Sequence, residues 1–263
     1  MKILYFTATG NCLHVAKSLG GELYSIPKMI QEGQYEFTDE KIGIVFPIYS
    51  ISVPPYIEEF IKKAKFNCEY LFGVMTYGIF DGATSGHLNN IGKEAGHNFA
   101  YINTIKMVDN WLPGFDMEKQ IASAPKKHIE EHIAEIKSDI EGSKEFIKKG
   151  HVGRKMATGY MVRSASKPNH KDSLHGNTSG LGIKNFVTVE DTCVKCGVCS
   201  RVCPVKNIKV DKEQGVSFGD FCISCFACTH NCPTNAIRLK GERTKARFRN
   251  SHIELKEIIK SNN

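Results

Sequence analysis

The chain predicts an α/β domain followed by a small, cysteine-rich α+β domain. Residues 1–150 alternate short apolar runs with stretches of helical periodicity, which argues for a parallel sheet with helices on both faces. From Cys193 to Pro233 that rhythm gives way to two copies of C-x2-C-x2-C-x3-C-P. One constant offset of 29 residues relates the copies and also carries Ile208 onto Ile237 and Val210 onto Leu239, so the second domain is an internal duplication.

The elements of the first domain follow in order. Lys2 to Phe6 is a short apolar run suited to a buried parallel strand. Thr7-Ala8-Thr9-Gly10-Asn11-Cys12 forms a hydroxyl-rich turn, and Leu13, Val15, Ala16 and Leu19 then fall at helical spacing until Gly20-Gly21. A strand, such a turn and a helix N-terminus together offer backbone N–H groups and hydroxyls to a phosphate. The turn lacks both the G-x-x-x-x-G-K-[ST] and the G-x-G-x-x-G patterns. Glu22 to Ile26 reads as a second strand, and Lys41 to Phe46 as a third, ending in Pro47-Ile48-Tyr49-Ser50. Pro54-Pro55 opens a helix through Phe60 and Ile61. Glu69 to Met75 is a fourth strand, ending in Thr76-Tyr77-Gly78 and a loop with Gly82; Ala83 to Ala95 is helical, and Phe99 to Met107 is a fifth strand. Ser123 and Pro125 start a closing helix with an apolar stripe at Ile129, Ile133, Ile136, Ile140 and Ile147, ended by Gly150.

Residues 151–185 have linker composition, with a short helix expected over Met156 to Val162. Beyond the cysteines, Arg243, Lys245, Arg247 and Arg249 alternate along an expected basic strip that faces a cluster or bridges the domains. Ile253, Leu255, Ile258 and Ile259 predict a final helix that pins the tail.

The doubled cysteine run is the sharpest chemical signal. Iron in a cubane takes four soft thiolate ligands, and three cysteines spaced by two residues wrap one cube while the fourth reaches the other. On that basis Cys193, Cys196, Cys199 and Cys232 hold one [4Fe–4S] cluster, and Cys222, Cys225, Cys228 and Cys203 the second. Structural zinc prefers separated pairs, and disulfides suit small secreted chains. Residues 186–240 resemble bacterial-type two-cluster ferredoxins, with Phe186 to Val189 and Val216 to Phe218 as framing strands and Ile208 to Val210 and Ile237 to Leu239 as their partners.

The turn at Thr7 to Cys12 resembles the FMN phosphate loop of flavodoxins, and residues 1–150 look like a flavodoxin domain. That resemblance implies a five-stranded parallel sheet in the order 2-1-3-4-5, with ligands at the carboxyl ends of strands 1, 3 and 4. It assigns Thr7, Thr9, Gly10, Asn11 and Cys12 to the phosphate, and Pro47, Ile48 and Tyr49 to one side of the isoalloxazine. Thr76, Tyr77 and Gly78 take the other side. Cys12 departs from the family, which usually has Thr or Ser there; a thiol is a weak donor. It is read as a small turn residue rather than a reactive thiolate. Cys68 is read as structural, Asp81 as a solvated loop acid, and His14, His87 and His97 as scattered, without a metal or triad arrangement. Trp111, in Asn110-Trp111-Leu112-Pro113, is expected to cover the flavin edge or join the domains.

Composition sets the outer limits. No apolar run approaches a membrane span and the N-terminal apolar run is too short for a signal peptide, so a cytoplasmic protein is expected. The net charge of +7 is uneven: residues 1–150 hold 16 Lys and Arg against 19 Asp and Glu, and residues 151–263 hold 19 against 9. Nucleic-acid binding is the usual reading of a basic half, but two anionic clusters offset part of it. The whole chain resembles the flavodoxin–ferredoxin fusion proteins of anaerobes, which implies FMN, two [4Fe–4S] clusters and electron relay with redox protein partners such as a ferredoxin or oxidoreductase. The alternatives are an FMN-dependent reductase of a small acceptor of quinone or nitro type, and a docking protein with a flavin-free flavodoxin domain. No catalytic acid or base is identifiable.

Overall fold

The computed structural model describes residues 1–150, 152–165 and 186–263. Its elements run β1 (Lys2–Tyr5), α1 (Asn11–Leu19), β2 (Glu22–Ser25), α2 (Ile26–Glu32), β3 (Glu36–Thr38), β4 (Lys41–Pro47), α3 (Pro55–Lys63), β5 (Lys65–Asn67), β6 (Tyr70–Tyr77), α4 (Thr84–Glu94) and β7 (Phe99–Lys106). There follow α5 (Met117–Ala122), a 3₁₀ turn (Ala124–Lys127), α6 (Ile129–Glu141), β8 (Phe146–Ile147) and α7 (Val152–Ala165). The chain ends with β9 (Val187–Val189), α8 (Val198–Arg201), β10 (Ile208–Asp211), β11 (Gly215–Phe218), α9 (Ala227–His230), β12 (Ile237–Leu239) and α10 (Leu255–Asn262). Apart from α7, the expected linker lies outside the described residues.

The main sheet is parallel, in the order β2-β1-β4-β6-β7-β8. Among the described residues it has six strands where five were expected. The sixth, β8, pairs Phe146 and Ile147 with Tyr101 and Ile102; two residues are too few to leave a periodic signature. The closing helix is correspondingly shorter than expected. α6 ends at Glu141, where Gly142 and Ser143, with Ser143 at φ 50°, turn the chain, so Ile147 sits on a strand and not on the helical stripe. β4 and β6 are almost wholly buried, as central parallel strands covered on both faces must be. The helices pack in pairs, α1 on α6 and α3 on α4.

In the cysteine-rich part, β10 pairs with β11 and β12 with β9, both antiparallel. The duplication shows in the backbone as well as in the sequence. Left-handed residues recur at the same 29-residue offset: Lys195 and Ser224, Gly197 and Phe226, Lys206 and Asn235. Among the described residues two cores hold the molecule together, and neither respects the halves. Val198, Val202, Ile223, Ala227, Ile253 and Ile258 extend the core of the sheet. Val108, Leu112 and Met117, which follow β7, join Phe226, Ile237, Leu239 and Phe248 in the second core. Trp111 packs against that second core.

The expected basic strip is held by hydrogen bonds at Arg243 and Arg247. The carbonyls of Thr244, Lys245 and Ala246 converge on Nη1 of Arg247, whose Nη2 pairs with Glu242 at 2.9 Å. Arg243 instead donates to the Pro113 carbonyl. The Arg243 contact joins this segment to the stretch that follows β7.

Candidate cofactor sites

The turn after β1 is buried: Thr7, Ala8, Thr9 and Cys12 are each at most 4% exposed. Gly10 sits at φ 98°, and a Cβ there would lie 3.0 Å from the Cβ atoms of Asn250 and Ile253, so backbone conformation and space both require glycine. Gly10 N–H donates to Thr7 Oγ1 at 3.1 Å. α1 opens at Gly10 with no side-chain cap, which leaves first-turn N–H groups at the positive end of a nine-residue helix for an anion.

Three asparagines from the other end of the chain hold this turn from behind. Asn262 Nδ2 donates to the Thr7 carbonyl (3.4 Å), Asn231 Nδ2 to Ala8 (3.1 Å), and Asn250 N–H to Thr9 (2.8 Å). Asn250 Nδ2 also reaches Asn11 Oδ1 at 3.2 Å. Three successive carbonyls are thereby satisfied by residues more than 220 positions away. Sequence reading missed all three asparagines, because no local motif marks a partner so distant.

Cys12 is buried, and its Sγ lies 3.1 Å from Thr76 Oγ1. Burial pushes the thiol up to about 12, against a small opposing effect of Thr76, so it is a neutral thiol bridging the turn to the end of β6. Tyr49, Ile48, Tyr77, Gly78, Asp109 and Asn110 border both the pocket at the turn and a cleft of about 240 Å³ beside it. Trp111 and Phe115 line the far wall of the cleft. The remaining wall comes from the cysteine-rich part: Ile223, Ser224 and Phe226.

Each loop is braced. Tyr49 and Ser52 bridge across Ser50 and Ile51, both at positive φ (48° and 55°), the tight hairpin geometry that ordinary residues adopt at a cost of about 1–3 kcal/mol each. α7 ties this hairpin to the loop after β6. Thr158 Oγ1 donates to Ile51 O (3.1 Å) and accepts from Ala83 N–H (2.9 Å). Asp81 is 6% exposed and pairs with Lys148 (2.9 Å), Arg154 (3.0 Å) and Thr104 Oγ1 (3.1 Å). It is a buried ion-pair centre that positions the loop, not the solvated acid expected. Trp111 N–H donates to Asp109 Oδ1 at 2.8 Å, and burial raises the Asp109 carboxyl above its usual range. Among the described residues, the buried Tyr49 hydroxyl has no hydrogen-bond partner. Burial first, then the thiols of Cys225, Cys12 and Cys222, hold that phenol well above its ordinary pKa.

The eight cysteines of the doubled run fall into two sets. Burial pushes the Cys199 thiol up to about 11 against an opposing Ser200 N–H, and Cys232, Cys193 and Cys196 add to the rise. Cys225 and Cys228, both raised by burial, feel Cys203 and Cys222. Cys203, Cys222, Cys225 and Cys228 line one cavity. Four thiols gathered in a buried space resist deprotonation by themselves, and a polynuclear iron cation bound there would supply the missing charge. The sets differ in exposure. All four of the second set are buried, whereas in the first Cys196 is exposed, beside a Val194 that is 65% exposed. His230, between Cys228 and Cys232, donates Nε2–H to Asn110 O (2.7 Å) and accepts Phe248 N–H at Nδ1 (3.1 Å), bolting the second cysteine loop to the segment after β7.

Of the scattered histidines, His14 is not isolated: the fold brings it to Glu130 and His252. His87 Nδ1 lies 3.4 Å from Val53 N, and His97 Nε2 3.2 Å from Ile61 O. Cys68 is half-buried, its thiol raised by burial.

Comparison with known proteins supports the second half of this picture. Residues 186–233 match the family model of the 4Fe-4S dicluster domain. The chain therefore joins an α/β sheet domain to an iron–sulfur domain of that type. No curated protein matches it. Among solved structures, it is similar to a protein from Bacteroides uniformis provisionally described as a flavoprotein (17% identity, 46% of this chain and 94% of that one, TM-score 0.32). It is also similar to rubredoxin oxygen:oxidoreductase from the anaerobe Desulfovibrio gigas (12% identity, 51% and 36%, TM-score 0.31). Likenesses this distant bear on neither cofactor nor activity. Among the described residues no helix is long and apolar enough to cross a membrane.

Proposed function

We propose that this chain is an electron-transfer iron–sulfur flavoprotein that holds two [4Fe–4S] clusters and one FMN, relays electrons between them, and exchanges electrons with redox protein partners. The observation that carries this reading is a shared wall. Ile223, Ser224 and Phe226, from the loop bearing Cys222 and Cys225, line the same cleft as Ile48, Tyr49, Tyr77 and Gly78. The residues fit the group on two further counts: an uncapped helix N-terminus at Gly10, and a buried Tyr49 hydroxyl beside the cleft that has no partner among the described residues.

Clusters of this kind move single electrons, and a flavin accepts one or two. The chain's own residues do the rest. Thr7, Thr9, Gly10, Asn11 and Cys12 bind the phosphate; Pro47, Ile48 and Tyr49 flank one side of the ring, and Thr76, Tyr77 and Gly78 the other. Cys193, Cys196, Cys199 and Cys232 hold an outer cluster, and Cys203, Cys222, Cys225 and Cys228 an inner one. Phe226 takes the left-handed position that Gly197 takes in the first copy. A bulky residue there costs about 1–3 kcal/mol, a cost consistent with a ring needed to close the cleft against the inner cysteines. Exposure of Cys196 and Val194 supports the outer set as the port for a protein partner, with the buried inner set next to the cleft. Thiols with no disulfide suit a reducing cytoplasm.

A second reading, reduction of a small apolar acceptor of quinone type, draws on Ile79 and Phe80, cleft-lining residues that are 52% and 39% exposed. Anaerobic preparation tests the proposal: one FMN and about eight iron atoms per chain are expected, with EPR signals of two interacting clusters. Iron-replete protein that takes up no FMN would refute the relay, and steady turnover of quinones without a protein partner would favour the second reading.

A further inference from the structure

Away from the cleft, three ligating side chains from distant segments meet beside α1. His14 lies in α1, Glu130 in the first turn of α6, and His252 just before α10. His14 Nε2 is 2.8 Å from Glu130 Oε1, and His252 Nε2 is 3.9 Å from the same oxygen. The two imidazoles stack, with centroids 4.3 Å apart and planes 11° from parallel. One donor atom from each residue lies within 4.8 Å of the other two. His14 is buried, whereas Glu130 and His252 are exposed.

A proton shared between His14 and Glu130 does nothing for His252, yet His252 is stacked on the same spot. Ligands bonded at 2.0–2.1 Å to a tetrahedral ion stand about 3.4 Å apart, between the two separations seen. Parallel rings do not aim both lone pairs at one point. The His252 ring, 59% exposed, has room to tilt, while burial holds His14 in place. Two imidazoles and one carboxylate suit zinc and its neighbours cobalt and nickel; magnesium and calcium prefer oxygen throughout.

We propose that His14, Glu130 and His252 bind one divalent ion of the zinc class, with water completing the shell, and that the ion clips the C-terminal strap, residues 250–254 ahead of α10, to α1. The clip sits two residues past Asn250, whose N–H holds the Thr9 carbonyl, and one residue before Ile253, against which Gly10 is packed. It therefore fastens the strap where the strap grips the turn. The site stands on its own residues and does not depend on the flavin reading.

The test uses anaerobic holo-protein with its iron in place, so that the clustered cysteines are occupied. After brief chelation and dialysis against micromolar zinc, metal is counted by mass spectrometry with iron as internal reference. One zinc per chain is expected. H252A and E130Q, both at exposed positions, should bind it at least about 100-fold more weakly, since even the partners of metal ligands are worth 10–100-fold in affinity. Iron content should not change. Zinc should also slow hydrogen exchange across residues 250–254 in wild type and not in H252A. Equal zinc in wild type and H252A, whether none or cysteine-bound, overturns the proposal.

Discussion

Gly78 offers the most direct test of the cleft, because its neighbour leaves no room. A Cβ added there would stand 1.9 Å from Asp109 Oδ2, 2.4 Å from its Cγ and 2.3 Å from its Cβ. Ordinary carbon contacts are about 3.5–4.0 Å, so Gly78→Ala must push Asp109 or its own loop outward by more than about 1 Å. Rotating the carboxylate away is not enough, since the Asp109 Cβ is itself in the way. Displacement breaks the 2.8 Å bond from Trp111 N–H, worth about 1.5–3 kcal/mol to a charged acceptor, and overpacking adds about 1–3 kcal/mol. Gly78 and Asp109 both line the cleft, so most of this falls on its shape. Taking about 3 kcal/mol as the cost, FMN affinity drops roughly 150-fold. Titration of FMN fluorescence quenching measures it, with iron and acid-labile sulfide in the same sample reporting that the cysteine loops, one of which shares the cleft wall, are intact. A Gly78→Ala protein that keeps its iron and binds FMN within about threefold of wild type refutes the assignment of this cleft.

The remaining predictions probe other parts of the assembly. Cys196→Ser should halve the iron content, leave FMN bound and abolish reduction by an external ferredoxin, whereas Cys225→Ser should leave the outer cluster reducible and cut it off from the flavin; EPR and the flavin absorbance distinguish them. Asp81→Ala strands Lys148 and Arg154. Breaking a buried pair costs about 3–5 kcal/mol, discounted here to about 2 kcal/mol because both cations are about a third exposed, and faster trypsin cleavage at Arg154 would report the release of α7. Glu257 is held below its ordinary pKa by the Lys17 ammonium first, then by the Glu254 N–H. Its contribution to docking α10 is therefore present above the unfolded carboxylate value of about 4.3 and lost as pH falls through the lower folded value. Hydrogen exchange of α10 should accelerate in that window in wild type, and Glu257→Gln should remove this pH dependence.

How much of this was legible beforehand follows from how far apart the interacting residues lie. The cysteine spacing, the turn at Thr7 to Cys12 and the apolar runs of the main strands are local patterns, written within a dozen residues, and they name the candidate cofactor residues of both halves. The apolar tail residues likewise announce α10. Features built from few or distant residues were not legible. The two-residue β8 carries no period, and the alternation of charges does not announce the pairing of Arg247 with the buried acid Glu242. Asp81 reads as a loop acid until Lys148 and Arg154 arrive from 67 and 73 positions on.

The sequence by itself determined the chemistry on offer: eight thiols at cubane spacing, a hydroxyl-rich turn before a helix, and a parallel sheet to carry it. Only the tertiary structure decided how those parts meet. It set the buried cysteine loop, and not the exposed one, against the cleft, sent three asparagines back to grip the carbonyls of the turn, and stacked His252 on His14 above Glu130. The physical reason is that spacing along a chain specifies what a segment can ligate, whereas contact between segments more than 200 residues apart is fixed by burial of shared apolar surface. Here Ile223, Ala227, Ile253 and Ile258 are buried in the core of the sheet domain.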